Sequence, residues 1–199
     1  MAELEGGIDA KLRKWIGKQS VFFVGSAPLS KKGHVNVSPK GPIGSLRVLD
    51  SSTVAYLDVV GSGAETIAHV RENGRIVVMF CAFEGPPRIV RLHGRGEIAL
   101  PGSRRYEELF ARARFDDGYI PEARRAIVVV HVERVAESCG FGVPLMRFAG
   151  ERPQMNAWGK KKLEKYGPQA LVDYQRQKNA TSIDGLPSID ARRRKPRKA

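Results

Sequence analysis

The chain has 199 residues, enough for one domain of ordinary size with a short extension. Apolar residues make up 42% of it and charged residues 28%, a composition typical of a globular protein with a packed core. The longest apolar runs, such as residues 76–83, are too short to span a bilayer, which argues against a membrane protein. No secretory leader can be read at the N-terminus, so we expect a cytoplasmic protein.

The formal net charge of +13 comes from 34 Lys and Arg against 21 Asp and Glu. Part of it lies in residues 188–199, a basic, low-complexity tail that we expect to be disordered. Such a tail could bind nucleic acid nonspecifically, but no aromatic residues are interleaved with its basic ones for base stacking. The rest of the chain is still basic, which favours a ligand that carries phosphate.

The predicted elements start with a short amphipathic helix over residues 9–18, with Asp9 as its N-cap, and continue mainly as strands. The strand-forming runs alternate apolar with polar residues or are rich in β-branched side chains, and most are separated by turn-length gaps. Gly94 and Gly96 indicate a bulge or a close backbone approach inside the longest run. The predicted strands span residues 21–26, 34–38, 46–50, 53–58, 75–83, 88–100 and 126–135.

Two further helices are predicted between strands, over residues 62–73 and 103–114. The first opens with Ser62 and Glu65 at the spacing of a capping box and ends at Gly74. Only this helix looks like a crossover connection. The strands are therefore expected to form a mainly β, six- to seven-stranded antiparallel split barrel with flanking helices.

Helical spacing returns beyond residue 155, around Trp158 and Leu163. This change predicts a barrel domain over residues 1–150 and a helical extension over residues 151–187, followed by the basic tail.

A row of polar side chains is predicted along the strand over residues 34–38. Alternation puts Asn36 and Ser38 on one face, and Lys40 follows at the mouth of the strand after Pro39 ends the ladder. Hydrogen-bonding groups that end in a cation suit the polar edge or the phosphate of a ligand. The alternative is the solvent-exposed face of a half-buried strand.

The start of the second predicted helix is another candidate. Gly61, Ser62 and Gly63 precede it, and Thr66 lies in its first turn. Small residues before a helix leave backbone N–H groups accessible, and the helix dipole adds positive potential, so this segment could bind phosphate. The carboxylate of Glu65 counts against an anion there, and the alternative is a plain capped helix. The sequence matches neither the P-loop nor the dinucleotide fingerprint.

Three more side chains are candidates for ligand contact. Arg47 could anchor a phosphate, and Tyr56 shares a strand face with Asp58. Arg88 follows a rigid Gly-Pro-Pro turn and could reach a cofactor of the partner subunit. The alternatives are a surface ion pair with a core aromatic for the first group and a solvated arginine at a hairpin turn for Arg88. No nucleophile–base pair and no zinc spacing can be read, so any chemistry would belong to a cofactor.

Several stretches of the sequence indicate a protein family more specifically in combination than any one of them does alone. They are Phe22-Phe23-Val24, Ala27-Pro28-Leu29 and Gly33-His34-Val35-Asn36-Val37-Ser38-Pro39-Lys40-Gly41; Val54-Ala55-Tyr56-Leu57-Asp58 and Gly61-Ser62-Gly63-Ala64-Glu65-Thr66; Val78-Met79-Phe80-Cys81-Ala82-Phe83-Glu84-Gly85-Pro86-Pro87-Arg88; and, near the C-terminus, residues 138–144 and 178–187. Over roughly residues 20–187 the chain resembles the pyridoxamine 5'-phosphate oxidase-like family of FMN-binding proteins.

This resemblance implies a split barrel that forms a homodimer, with two FMN sites between the subunits. It places the strand with Asn36 and Lys40 and the helix start at Gly61–Thr66 near the cofactor, whose flavin N5 would take or give a hydride. The arginine-rich motif that holds the substrate phosphate in true pyridoxamine phosphate oxidases is not found. The expected activity is therefore a flavin-dependent oxidoreductase acting on another small molecule. A deazaflavin or a tetrapyrrole is the alternative ligand of the same site.

Overall fold

A computed structural model describes residues 2–3, 6–116 and 118–189, so residues 190–199 of the predicted basic tail lie outside the described part. The strands are β1 (Ala2–Glu3), β2 (Phe22–Ser26), β3 (Asn36–Lys40), β4 (Leu46–Asp50), β5 (Thr53–Val59), β6 (Arg75–Cys81), β7 (Ile89–Ala99) and β8 (Arg124–Ser138). The helices are α1 (Ala10–Ile16), α2 (Glu65–Asn73), α3 (Arg104–Ala113), α4 (Gln154–Tyr166) and α5 (Ala170–Lys178), with a 3-10 turn at Pro121–Ala123.

The strands form one antiparallel sheet in the order β3-β2-β6-β7-β8-β5-β4, and the short β1 pairs with β8. Side chains from both ends of this order meet. Phe22 of β2 packs edge-on against Tyr56 of β5, with ring centroids 5.4 Å apart, and Lys40 of β3 reaches Asp58 of β5. The sheet therefore curls into the split barrel predicted from the sequence, and only the two-residue β1 was not predicted.

The main core fills the barrel with alternate side chains of the strands. Val24, Val78 and Val128 are among the fully buried residues, and α1 adds Leu12 and Ile16 to the same cluster. Burial of such side chains is the main source of favourable free energy for this fold. The alternation that places them inside is the period-2 pattern that predicted the strands.

Two smaller clusters attach the helices to the outside of the barrel. Tyr106 and Leu109 of α3 pack on the outer face of β5 and β8. Leu171 of α5 is fully buried with Val60, and Trp158 of α4 packs against the same cluster. The helices α4 and α5 thus fall inside the range predicted to be helical, and the division of the chain at residue 150 stays a prediction.

The helix ends test the capping predictions individually. Asp9 Oδ1 accepts a hydrogen bond from the Leu12 amide at 2.6 Å, which confirms the N-cap of α1. Gly74 ends α2 with φ of 73°, in the left-handed region that favours glycine, as predicted. The capping box at Ser62 is wrong, because α2 begins at Glu65 after Ala64 and no side chain caps it.

Of two further strand predictions, one needs a correction and one is confirmed. The strand predicted over residues 34–38 is β3 at Asn36–Lys40, so Pro39 lies within the ladder opposite Phe23 instead of ending it. Proline is tolerated there because β3 is an edge strand and needs fewer N–H donors. The bulge at Gly94 is confirmed, since the register shifts there and a Cβ atom would clash with the His131 carbonyl oxygen.

In the described part of the chain, none of the helices has the length and apolar character needed to cross a bilayer.

Candidate functional site

The polar row on β3 faces inward. Asn36, Ser38 and Lys40 are half-buried, whereas Val37, on the opposite face, is 65% exposed. The predicted alternation is therefore confirmed, but its orientation is the reverse of a usual barrel strand. This argues against the alternative of a polar face turned to solvent, because solvent meets the apolar face instead.

The first turn of α2 lies directly against this row. The Asn36 amide nitrogen donates to Thr66 Oγ1 at 3.0 Å, and the Ser38 hydroxyl donates to Asn36 Oδ1 at 3.1 Å. Thr66 is buried and Asn36 half-buried, so these bonds are partly shielded from water. The two candidate places identified separately in the sequence, β3 and the start of α2, are therefore in direct contact, and the polar surface that they share is called the crevice below.

A buried triad of charges closes one end of the crevice. Asp58 of β5, 3% exposed, accepts from the Lys40 ammonium at 2.8 Å through Oδ1 and from the Arg125 guanidinium through Oδ2. Arg125 also donates to the Gly63 carbonyl at 2.7 Å, which ties the loop before α2 to the barrel. A carboxylate this deeply buried requires such partners, because an unpaired charge there would be very costly.

The two positive charges of the triad lower the pKa of Asp58. Burial alone would raise the pKa of Asp58, but the positive charges of Arg125 and Lys40, with their hydrogen bonds, hold it below its usual value. Asp58 is therefore ionised at neutral pH. Burial and the nearby Asp58 carboxylate raise the pKa of Tyr56 well above its usual value, so this phenol stays protonated.

The loop before α2 is less open to an anion than its sequence suggests. The Gly61 carbonyl accepts from Asn179 at 2.9 Å, and the Glu65 carboxylate folds back over Gly63. Glu65 thereby brings a negative charge to the electropositive end of the helix. Ser62, exposed in the loop, makes no capping bond.

Arg47 lies apart from the crevice, and Tyr56 lies inside the core next to the charged triad. Arg47 of β4 pairs with Ala55, which faces the α3 side of the sheet, and its guanidinium donates to the Arg114 carbonyl at 3.3 Å. Tyr56 is fully buried inside the barrel core, so the alternative of a core aromatic describes it better than ligand contact.

Arg88 lies in a different place, a groove between α1, the turn after β6 and residues 146–148. Its guanidinium pairs with Glu137 at 2.6 Å and stacks on Trp15, 4.9 Å from the ring centroid. The groove has a volume of about 1150 Å³. Arg88 is thus neither solvated nor part of the crevice within one chain.

Sequence reasoning missed Arg125, which is 5% exposed and holds two parts of the site together. One signal was available. Asp58 ends an apolar strand and Arg125 begins another, and a buried carboxylate next to an antiparallel partner strand requires a cation. The 67-residue separation hides this pairing until the strand order is known.

The crevice offers donors rather than a nucleophile or a metal site. Lys40 carries three N–H donors, one of which points to Asp58, and its side chain is 21% exposed. Among the described residues, no group of three His, Cys, Asp or Glu side chains is arranged to hold a metal ion. A cationic donor beside amide and hydroxyl groups, joined to a helix start, fits a polar ligand that carries an anionic group.

Comparison with known proteins agrees with this arrangement. The family model for pyridoxamine 5'-phosphate oxidase matches residues 8–139, which contain β2 to β8 and all the crevice residues contributed by β3, β5, α2 and β8.

Among curated proteins, the pyridoxamine 5'-phosphate oxidase family protein ustO of Aspergillus flavus is 40% identical over 195 residues, covering 89% of this chain and 74% of the relative. Among solved structures, HupZ of Group A Streptococcus superposes with a TM-score of 0.52 at 26% identity, over 66% of this chain and 94% of HupZ. The H111A variant of HupZ gives a TM-score of 0.51 at 25% identity, over 66% of this chain and 99% of the variant. The chain belongs to the pyridoxamine 5'-phosphate oxidase family.

Proposed function

We propose that the chain is a cytoplasmic FMN-binding flavoprotein, an oxidoreductase that acts on a small molecule. The single observation that carries the proposal is the contact of Asn36 with Thr66, which joins the polar row of β3 to the start of α2. Family membership supports it, since the sequence resemblance that implies FMN binding rests on these same stretches.

Each crevice residue has a role in this proposal. Lys40, with Arg125 behind it, provides the positive charge for the phosphate. Asn36 and Ser38 form hydrogen bonds with the polar edge of the flavin ring. Thr66 holds the start of α2 against the polar row, and the Gly63 carbonyl fixes the loop before α2 to Arg125. When bound, a flavin supplies hydride transfer, while the chain binds and orients it. Arg47, Tyr56 and Arg88 lie outside this set.

The absorption spectrum of the purified protein tests the proposal. We expect a yellow protein with two visible bands, or a colourless one that retains them after incubation with FMN and removal of the unbound flavin, and loss of the bands on reduction. Replacing Lys40 by Gln should weaken FMN binding, because the variant keeps a hydrogen-bonding side chain without the positive charge. A wild-type protein that is colourless after incubation with FMN and removal of the unbound flavin would reject the proposal, and tighter binding of a deazaflavin or a tetrapyrrole would reassign the cofactor.

We also propose that the protein is a homodimer. After β8, Phe141 and Leu145 are 81% and 80% exposed, and Met146 and Phe148 follow with 55% and 45%. Contiguous exposed apolar side chains of this size are typical of protein–protein interfaces. Leu145→Ser should shift the mass measured by light scattering from dimer towards monomer. Tyr166→Ser, at an exposed position on α4, is the control and should leave the dimer intact.

A further inference from the structure

The residues after α5 form a compact hairpin, residues 180–188, called the C-terminal hairpin below. Thr181 pairs with Pro187, and the Ser182 amide donates to the Leu186 carbonyl at 2.9 Å. At its base, the Ile189 amide donates to the Asn179 carbonyl at 3.1 Å. These bonds give the segment a defined shape of its own.

One side of the C-terminal hairpin rests on the start of α2. The Ser188 hydroxyl donates to the Ala64 carbonyl at 3.1 Å, and the Ile183 amide donates to Glu65 Oε1 at 3.3 Å. Arg71, on the same helix, donates to the Ser188 carbonyl. Ser188 is 1% exposed, so this side is the buried one.

The tip of the hairpin rests on the chain just before β3. Asp184 accepts from the His34 backbone amide at 2.8 Å through Oδ2 and lies 2.7 Å from His34 Nδ1 through Oδ1. The His34 side chain is 71% exposed and that of Asp184 is 15% exposed, so water reaches this contact from the His34 side, unlike the contacts at the base. The hairpin therefore spans from β3 to α2, the two walls of the crevice that contains Asn36 and Thr66.

The closed hairpin has two unfavourable features. Asn179 is fully buried and donates to the Gly61 carbonyl, but its Oδ1 atom has no hydrogen-bond partner among the described residues. A buried acceptor without a donor costs free energy. The closed position also holds two carboxylates, Asp184 and Glu65, beside the crevice, and these repel an anionic ligand.

We propose that the C-terminal hairpin is a lid over the crevice between β3 and α2, hinged at Asn179 and latched at its tip by the contact of Asp184 with His34. The lid admits a ligand that carries an anionic group, which rests on the function proposed above. Because the latch is the exposed contact and the base is buried, the tip opens first. The latch thus controls how fast the ligand enters.

Hydrogen–deuterium exchange and flavin binding kinetics on the full chain test the lid. Asp184→Asn removes the charge of the latch with little change in shape, and we expect several-fold faster exchange at residues 182–189 and a several-fold faster association with FMN. His34→Gln, which changes the other partner, should act in the same direction. Asp173→Asn is the matched control, since Asp173 is an exposed carboxylate on α5 that pairs with Arg176 outside the hairpin.

The outcomes separate the lid from the proposed function. If FMN binds with the same association rate to wild type, Asp184→Asn and His34→Gln, and exchange of the hairpin is unchanged in the variants, the lid is wrong and the flavin site stands. If wild type and both variants fail to bind FMN, both proposals fall. Faster entry in the latch variants but not in Asp173→Asn supports the lid.

Discussion

At the scale of single residues, the site depends on a carboxylate that lies deep inside the protein. Asp58 is shared by Lys40 and Arg125, and through Arg125 it also fixes the carbonyl of Gly63. A buried ion pair of this kind adds little stability over an apolar replacement, but losing one partner leaves charges without compensation. Asp58 is therefore more important for holding the site together than for any chemistry.

Replacing Asp58 by Ala should lower the free energy of unfolding by about 3–5 kcal/mol, because Lys40 and Arg125 then lose their shared partner. Denaturation by urea without added ligand measures this. Asp173→Ala is the control, since its pair with Arg176 is exposed, and it should cost less than about 1 kcal/mol. Equal losses in the two variants would contradict the role given to Asp58.

The lowered pKa of His69 makes the stability of the protein depend on pH. It is fully buried with Nδ1 3.0 Å from the Ser26 hydroxyl; burial lowers its pKa, although the carboxylates of Asp184, Glu72 and Glu65 oppose this. The folded pKa lies below the unfolded value of about 6.5, so its contribution to stability is present above that pH and is lost as pH falls through the folded pKa.

Between pH 7 and pH 5, we therefore expect the unfolding free energy of wild type to fall more steeply than that of His69→Asn. The difference can reach about 1.4 kcal/mol per pH unit. Urea midpoints at the two pH values measure it, and parallel slopes would show that His69 does not titrate differently in the folded and unfolded chains.

At the scale of elements, two serines near helix starts differ in whether they cap the helix, and only Ser62 was predicted to do so. Ser103 accepts from the Tyr106 amide and caps α3, whereas Ser62 caps nothing because α2 begins at Glu65. Ser103→Ala should cost about 1 kcal/mol of unfolding free energy. Ser62→Ala should stay within about 0.5 kcal/mol, measured without ligand by the same denaturation. A larger loss of unfolding free energy in Ser62→Ala would indicate that Ser62 does cap α2.

The strands could be predicted because alternation is a local signal. The shared face of Asn36 and Ser38 followed from it, whereas the antiparallel pairing followed from the turn-length gaps between the strands and the strand order was not predicted. Which face of β3 turns inward could not be predicted, because that depends on α2 packing over the polar side through Thr66. Arg125 was missed for the same reason, since its partner lies on another strand of the folded sheet.

At the scale of the whole molecule, the barrel combines a polar crevice inside with apolar surface outside. Val35 and Val37 are 73% and 65% exposed beside the crevice, and Phe141 and Leu145 are exposed beyond β8. The basic excess of the chain adds a positive field that attracts an anionic ligand before any contact forms. Fold, charge and crevice therefore support the proposal of an anionic cofactor.

The most direct test compares FMN with riboflavin, which lacks the phosphate, by the shift in Tm that each produces in the wild-type protein. We predict a clear increase with FMN, equivalent to about 2.7 kcal/mol at a hundredfold excess over Kd, and a much smaller one with riboflavin. In Lys40→Gln the difference between the two ligands should shrink. An unchanged Tm with saturating FMN, or equal shifts with FMN and riboflavin, would contradict a phosphate held at the end of the β3 row.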